Sequence, residues 1–108
     1  MNSDLQSLTQ SLRDFAQERE WDQFHSPKNL AAALTVEAAE LLEHFQWMTE
    51  EQSRQPSAEK TAEIAAEAAD VFLYLLQVCD KPNIDLIENA QKYPVERVRG
   101  SSKKYSAS

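Results

Sequence analysis

PKNLAAALTVEAAELLEHFQWM, residues 27–48, decides how the chain folds. Ser26-Pro27 opens it with a capping side chain and a proline at the first helical position, where the missing N–H is not needed. Ala, Leu and Glu dominate the rest, and apolar positions recur at three or four rather than two. A second stretch of the same kind, AEKTAEIAAEAADVFLYLLQVC at 58–79, opens behind Ser57. The spacing predicts two long helices, Pro27 to Met48 and Ala58 to Cys79. Their runs Ala31-Ala32-Ala33, Ala38-Ala39, Ala65-Ala66 and Ala68-Ala69 allow close approach.

Reading outward, Ser3 and Gln6 have capping-box spacing, and Leu5, Leu8, Leu12 and Phe15 share one helical face. This predicts a first helix over 4–19. Trp21-Asp22-Gln23-Phe24-His25 is an aromatic-rich connection, and the polar segment 49–57, with Pro56, reads as a loop. Pro82 stops the long helix, and Asn83 is expected to cap a short fourth helix that ends before Pro94. The fold class is therefore all-α: a four-helix bundle-like protomer, one domain over 1–108, with a flexible tail from 97. Helices this apolar need cover on several sides, so a dimer or a dimer of dimers is expected.

Composition narrows the chemistry. The 108 residues include one Gly, one Cys, 11 Lys+Arg and 18 Asp+Glu. With Gly100 as the lone glycine, a Gly-rich phosphate loop or dinucleotide fingerprint is excluded. A single Cys79 excludes an intrachain disulfide and a cysteine-based zinc site, and reads as a packing residue. No apolar run approaches the ~20 residues of a membrane span, and Met1-Asn2-Ser3-Asp4 lacks the layout of a signal peptide. The expectation is a soluble, cytoplasmic protein. Residues 1–91 hold six basic and 17 acidic side chains, while 92–108 hold Lys92, Arg97, Arg99, Lys103 and Lys104 against Glu96. An acidic body does not attract nucleic acid, but metal ions can stand between its carboxylates and a phosphorylated ligand.

The two apolar helices carry paired acids. Glu37 and Glu40, and Glu67 and Asp70, are each separated by three, which puts each pair on one helical face. If the pairs face each other, four carboxylates converge in an apolar wall. They then take up protons or hold hard cations such as Mg²⁺ or Mn²⁺. The alternative is that they form solvated faces. Each acidic stripe runs on to an aromatic, Trp47 in one helix and Tyr74 in the other, and Trp21, Phe24 and Trp47 could form an apolar slot for a base. Ordinary core or interface packing is the competing reading. His25 and His44 read first as structural hydrogen-bonding residues. A di-iron bundle needs Glu-x-x-His pairs, which are absent.

The order of these residues resembles the MazG-like nucleotide pyrophosphohydrolases, most closely the dCTP pyrophosphatase branch of the all-α NTP pyrophosphohydrolases. Glu37-Ala38-Ala39-Glu40 and Glu67-Ala68-Ala69-Asp70 match that family's E-x-x-E and E-x-x-D signature. Arg19-Glu20-Trp21-Asp22-Gln23-Phe24-His25, Phe45-Gln46-Trp47, Asp70-Val71-Phe72-Leu73-Tyr74-Leu75, Lys92-Tyr93-Pro94 and Arg99-Gly100-Ser101-Ser102-Lys103-Lys104-Tyr105 are similar as well. The resemblance implies a homodimer or homotetramer with Mg²⁺, or Mn²⁺ in its place, on Glu37, Glu40, Glu67 and Asp70. It implies hydrolysis of a nucleoside triphosphate, dCTP or a modified dCTP foremost, to monophosphate and pyrophosphate in nucleotide-pool house-cleaning. Trp21, His25, Trp47 and Tyr74 would then form the base and sugar pocket, partly across a subunit boundary, while Asn89 and Lys92 match the end of the family motif. Glu40, one turn from His44 and two from Trp47, is the expected general base, with Asp70 beside it in catalysis. One departure stands out: between Glu88 and Asn89 the resemblance implies about three more helical turns. A catalytically weak oligomerisation or partner-binding module is the alternative function.

Overall fold

The computed structural model describes residues 3–93. Pro94, Gly100, the basic residues Arg97, Arg99, Lys103 and Lys104, and the tail expected to be flexible from 97 lie outside the described residues. Within them the chain forms five α-helices and no strand: α1 Ser3–Glu18, α2 Pro27–Glu43, α3 Glu50–Arg54, α4 Ala58–Asp80 and α5 Leu86–Lys92. A 3-10 turn, Asp22–Phe24, joins α1 to α2. No described helix is long and apolar enough to cross a membrane.

The expected starts of the two long helices hold. Ser26 Oγ accepts the Asn29 N–H at 3.1 Å with Pro27 at the helix start, and Ser57 Oγ accepts the Lys60 N–H at 3.1 Å. Four expectations need correction. First, Ser3 is itself helical rather than a flanking cap. Second, α2 stops at Glu43 and not at Met48. The His44 and Phe45 N–H groups bond three residues back, to Leu41 and Leu42 at 3.2 and 2.9 Å, and this tightening ends the helix. Third, the polar segment is not wholly a loop. Thr49 and Gln52 form a reciprocal capping box, at 3.1 and 3.0 Å, that starts α3.

Fourth, Asn83 does not cap the last helix; Asp85 does, accepting the Glu88 N–H at 2.9 Å. Asn83 instead closes α4. Its φ is 59°, the Ile84 N–H reaches back to the Cys79 carbonyl at 2.8 Å, and the Asn83 N–H reaches Asp80 at 3.0 Å. The end of α1 repeats this pattern. Glu20 has φ 57°, the Trp21 N–H bonds Ala16 at 2.8 Å, and the Glu20 N–H bonds Gln17 at 3.1 Å. Both are Schellman closures with a left-handed residue after the helix.

The helices α2 and α4 form the principal packed pair, and α1 lies on α4. Arg13 of α1 forks onto Asp80 of α4, with Nε 2.8 Å from Oδ2. Lys81 Nζ reaches Asp22 at 3.3 Å, and Asn29 Nδ2 donates to the Phe24 carbonyl at 2.9 Å. These two contacts fasten the 3-10 turn to α4 and α2. Among the described residues only Ala16, Leu30, Leu76 and Cys79 form a buried core, with Leu30 the one fully buried side chain.

Candidate functional site

Pairing α2 with α4 brings the two acidic faces together. Glu37, Glu67 and Asp70 each present one carboxylate oxygen within 4.8 Å of the others. Glu37 and Glu67 are half-buried, whereas Asp70 is open to solvent. Glu40 joins the row through contacts with both Glu37 and Glu67, outside that tight triad. The Glu37 carboxyl is pushed above the ordinary range, first by its hydrogen bond with Glu67, then by desolvation and the charges of Glu67 and Asp70. Glu40 is pushed up as well, first by its hydrogen bond with Glu37, then by the Glu37 charge. Two acids on neighbouring turns that both hold protons too tightly are the mark of uncompensated negative charge.

The donor set fits a hard divalent cation. All converging atoms are carboxylate oxygens, one side stays open for water, and Glu67 Oε2 is buried with no hydrogen-bond partner. A buried carboxylate oxygen without a donor is costly unless something positive meets it. Among the described residues the one basic nitrogen within 4.0 Å of the Glu67 carboxylate is His44 Nε2, at 4.0 Å from Oε1.

Beside the acids a cavity of about 190 Å³ opens between α1, the 3-10 turn and α4. Phe15, Trp21 and His25 line one side, Leu73 and Tyr74 the other, and Asp70 stands at the junction with the acidic triad. Phe15 and Trp21 meet edge to face, with ring centroids 5.3 Å apart, and Trp21 and His25 lie 6.0 Å apart. Arg19 stacks over Phe15 at 4.4 Å and holds that aromatic wall from outside. The volume is below the ~300–1,000 Å³ of sites that engulf a whole drug-sized ligand. It suits a flat ring or a sugar, and leaves any attached polar group outside, toward Asp70.

Sequence reasoning thus named Trp21, His25, Tyr74 and Asp70, which converge. It missed Leu12, Phe15 and Leu73, whose apolar character on a helix carries no signal that separates a cleft wall from a core. Trp47 does not reach this cleft within one chain: it is 89% exposed beyond the end of α2. Asn89 and Lys92, on α5, do not line it either, and Asn89 Nδ2 is bonded to the Asp85 carbonyl at 2.8 Å. A larger groove of about 390 Å³ between α1, the end of α4 and the start of α5 contains no free acid pair. Its carboxylates, Asp80 and Asp85, are bound to Arg13 and to the Glu88 N–H.

Set against known proteins, the chain is 36% identical to dCTP pyrophosphatase 1 of Mus musculus and 35% identical to that of Homo sapiens, over 94% of its length. It spans 66% of the length of each of these curated relatives. A pyrophosphatase from Archaeoglobus fulgidus DSM 4304 superposes with a TM-score of 0.78 at 33% identity, covering 99% of this chain and 96% of that one. The chain belongs to the MazG-like dCTP pyrophosphatase family. No family-wide sequence profile matches it. The alignment with the mouse dCTP pyrophosphatase runs over 113 positions, more than the 108 residues of this chain, so that relative carries residues with no counterpart here. The archaeal pyrophosphatase, by contrast, is matched almost end to end.

Proposed function

We propose that this chain hydrolyses a deoxynucleoside triphosphate, dCTP or a modified dCTP foremost, to the monophosphate and pyrophosphate, with Mg²⁺ as cofactor. The observation that carries the reading is the continuity of the acidic triad with the aromatic cleft through Asp70. A base in the cleft leaves its phosphates at the acids, and phosphates can approach carboxylates only with cations between them. Glu37, Glu67 and Asp70 would hold the divalent cation. When bound, it supplies charge neutralisation and polarises phosphorus.

The chain's own groups do the rest. Trp21 and His25 stack on the base from one side and Tyr74 bounds it on the other, which fixes the phosphate chain relative to Asp70. Glu40, whose proton affinity is raised by Glu37, takes the proton of the attacking water. A second copy completes the site: Trp47, exposed in one chain, packs at the cleft of a partner in a dimer or dimer of dimers. The names of the relatives favour cytosine, and the reading includes a role in clearing unwanted nucleotides, with the cytoplasm as its proposed place.

The test is a panel of dNTPs and NTPs, with Mg²⁺ and with excess chelator, assayed separately for pyrophosphate and for phosphate. Metal-dependent pyrophosphate release, fastest with dCTP or a modified cytosine nucleotide, is expected. Phosphate without pyrophosphate would move the attack to another phosphorus and reject this chemistry. Neither turnover nor nucleotide binding would favour a non-catalytic helical oligomerisation module.

A further inference from the structure

The acidic cluster has, among the described residues, one basic neighbour within 4.0 Å. Among the described residues, no Lys, Arg or His nitrogen other than that of His44 lies within 4.0 Å of a carboxylate oxygen of Glu37, Glu40, Glu67 or Asp70. His44 directly follows α2, tied by its backbone N–H to the Leu41 and Leu42 carbonyls. Its place is thus set by the helix end and not by a mobile loop. Its side chain is 21% exposed and that of Glu67 is 13% exposed, so water screens the contact poorly.

This contact makes the two oxygens of Glu67 unequal. Oε1 faces the imidazole Nε2, whereas Oε2 is buried and has no partner. At 4.0 Å the imidazole is beyond hydrogen-bond reach, yet among the described residues it is the one cationic-type group beside a carboxylate whose other contacts are the acids Glu37 and Glu40, so it biases the carboxylate's rotation. We infer that His44 is a positioning residue for Glu67, orienting the carboxylate so that Oε2 is free to meet a divalent cation shared with Glu37 and Asp70. This rests on the reading of the acidic triad as a cation site. The role is distinct from packing, because a residue of equal bulk without a ring nitrogen would fill the same space.

The experiment is calorimetric titration of the full chain with MnCl₂ alone, no nucleotide present, on wild type, His44→Leu, His44→Gln and Glu67→Gln. The thermal midpoint of each chelated protein is measured in parallel. Wild type is expected to bind Mn²⁺, and His44→Leu to bind about tenfold or more weakly, in the range of lost outer-shell ligand contacts. His44→Gln, which keeps a side-chain N–H, should recover most of the affinity. Chelated midpoints should differ little. Equal affinity in wild type and His44→Leu would overturn the assignment, as would weak binding in both His44 variants accompanied by a matching fall in the chelated midpoint. If Mn²⁺ binds wild type and Glu67→Gln equally, or binds neither, the cation site itself fails, and that result is separable from failure at His44 alone.

Discussion

Glu37 is the residue on which the acidic row turns, since it touches Glu67 across the helix pair and Glu40 along its own helix. Its folded value lies above its unfolded one, so its favourable contribution is complete below the unfolded value of 4.5 and is lost as pH rises through the folded value. Near neutral pH the chelated protein therefore carries an unrelieved repulsion. Glu37→Gln should raise the thermal midpoint of the chelated protein at pH 7 and shrink the further rise on adding Mn²⁺; a lower midpoint would contradict the cluster's geometry. Glu40→Gln and Glu67→Gln should separate: the first loses turnover by about a hundredfold while retaining cation binding, the second loses the cation itself. Kinetics and calorimetry on the same preparations check this. The acids were legible in sequence because a spacing of three on two apolar helices is a geometric statement. His44 was not, because a lone histidine beyond a helix end has the same spacing whether it faces an acid or water.

At the scale of elements, closures and bridges place the cleft. The closure of α1 brings Trp21 back over the helix, where it meets Phe15, and the left-handed position it requires is filled by Glu20. A side chain with a Cβ is disfavoured there by about 1 kcal/mol. Glu20→Gly should stabilise the chain by about 0.5–1 kcal/mol, read by urea denaturation, whereas Asn83→Ala at the equivalent position after α4 should destabilise it by a similar amount. The Arg13–Asp80 bridge ties α1 to α4 and holds the Asp80 carboxyl below its usual value of 3.8, through the hydrogen bond from Arg13 first and its charge as well. A depressed folded value means that this stability is present above pH 3.8 and is lost as pH falls through the folded value. Asp80→Asn should remove about 1 kcal/mol at pH 7, a modest figure because Arg13 is half-exposed, and should flatten the acid limb of the stability curve. The long helices were readable from Ser26-Pro27 and Ser57. The short ones were not: Thr49 and Gln52 carry a capping box inside a segment whose polarity and Pro56 read as loop, and Asn83 and Asp85 are both plausible caps two residues apart.

For the whole molecule, the four buried side chains among the described residues stand against Trp47 at 89%, Leu42 at 65% and Val36 at 57% exposure. The radius of gyration, 16.1 Å, exceeds the ~13 Å of a compact domain of about this length. Both features fit a protomer that completes its core against a second copy. Sedimentation equilibrium should give a multiple of 12.3 kDa, and Leu42→Glu should lower the mass and the helicity together. A stable, fully helical monomer would contradict this. The sequence announced the need for cover through the breadth of its apolar faces, but which face meets the partner depends on packing that no periodicity records. The most direct test of the central claim, that acids and aromatics form one site, is Trp21 fluorescence in a Trp47→Phe protein titrated with a non-hydrolysable dCTP analogue. A change that requires Mg²⁺ and disappears in Glu67→Gln is the predicted result. The same change in the presence of chelator, or none with either, would show that the cleft and the carboxylates do not act together.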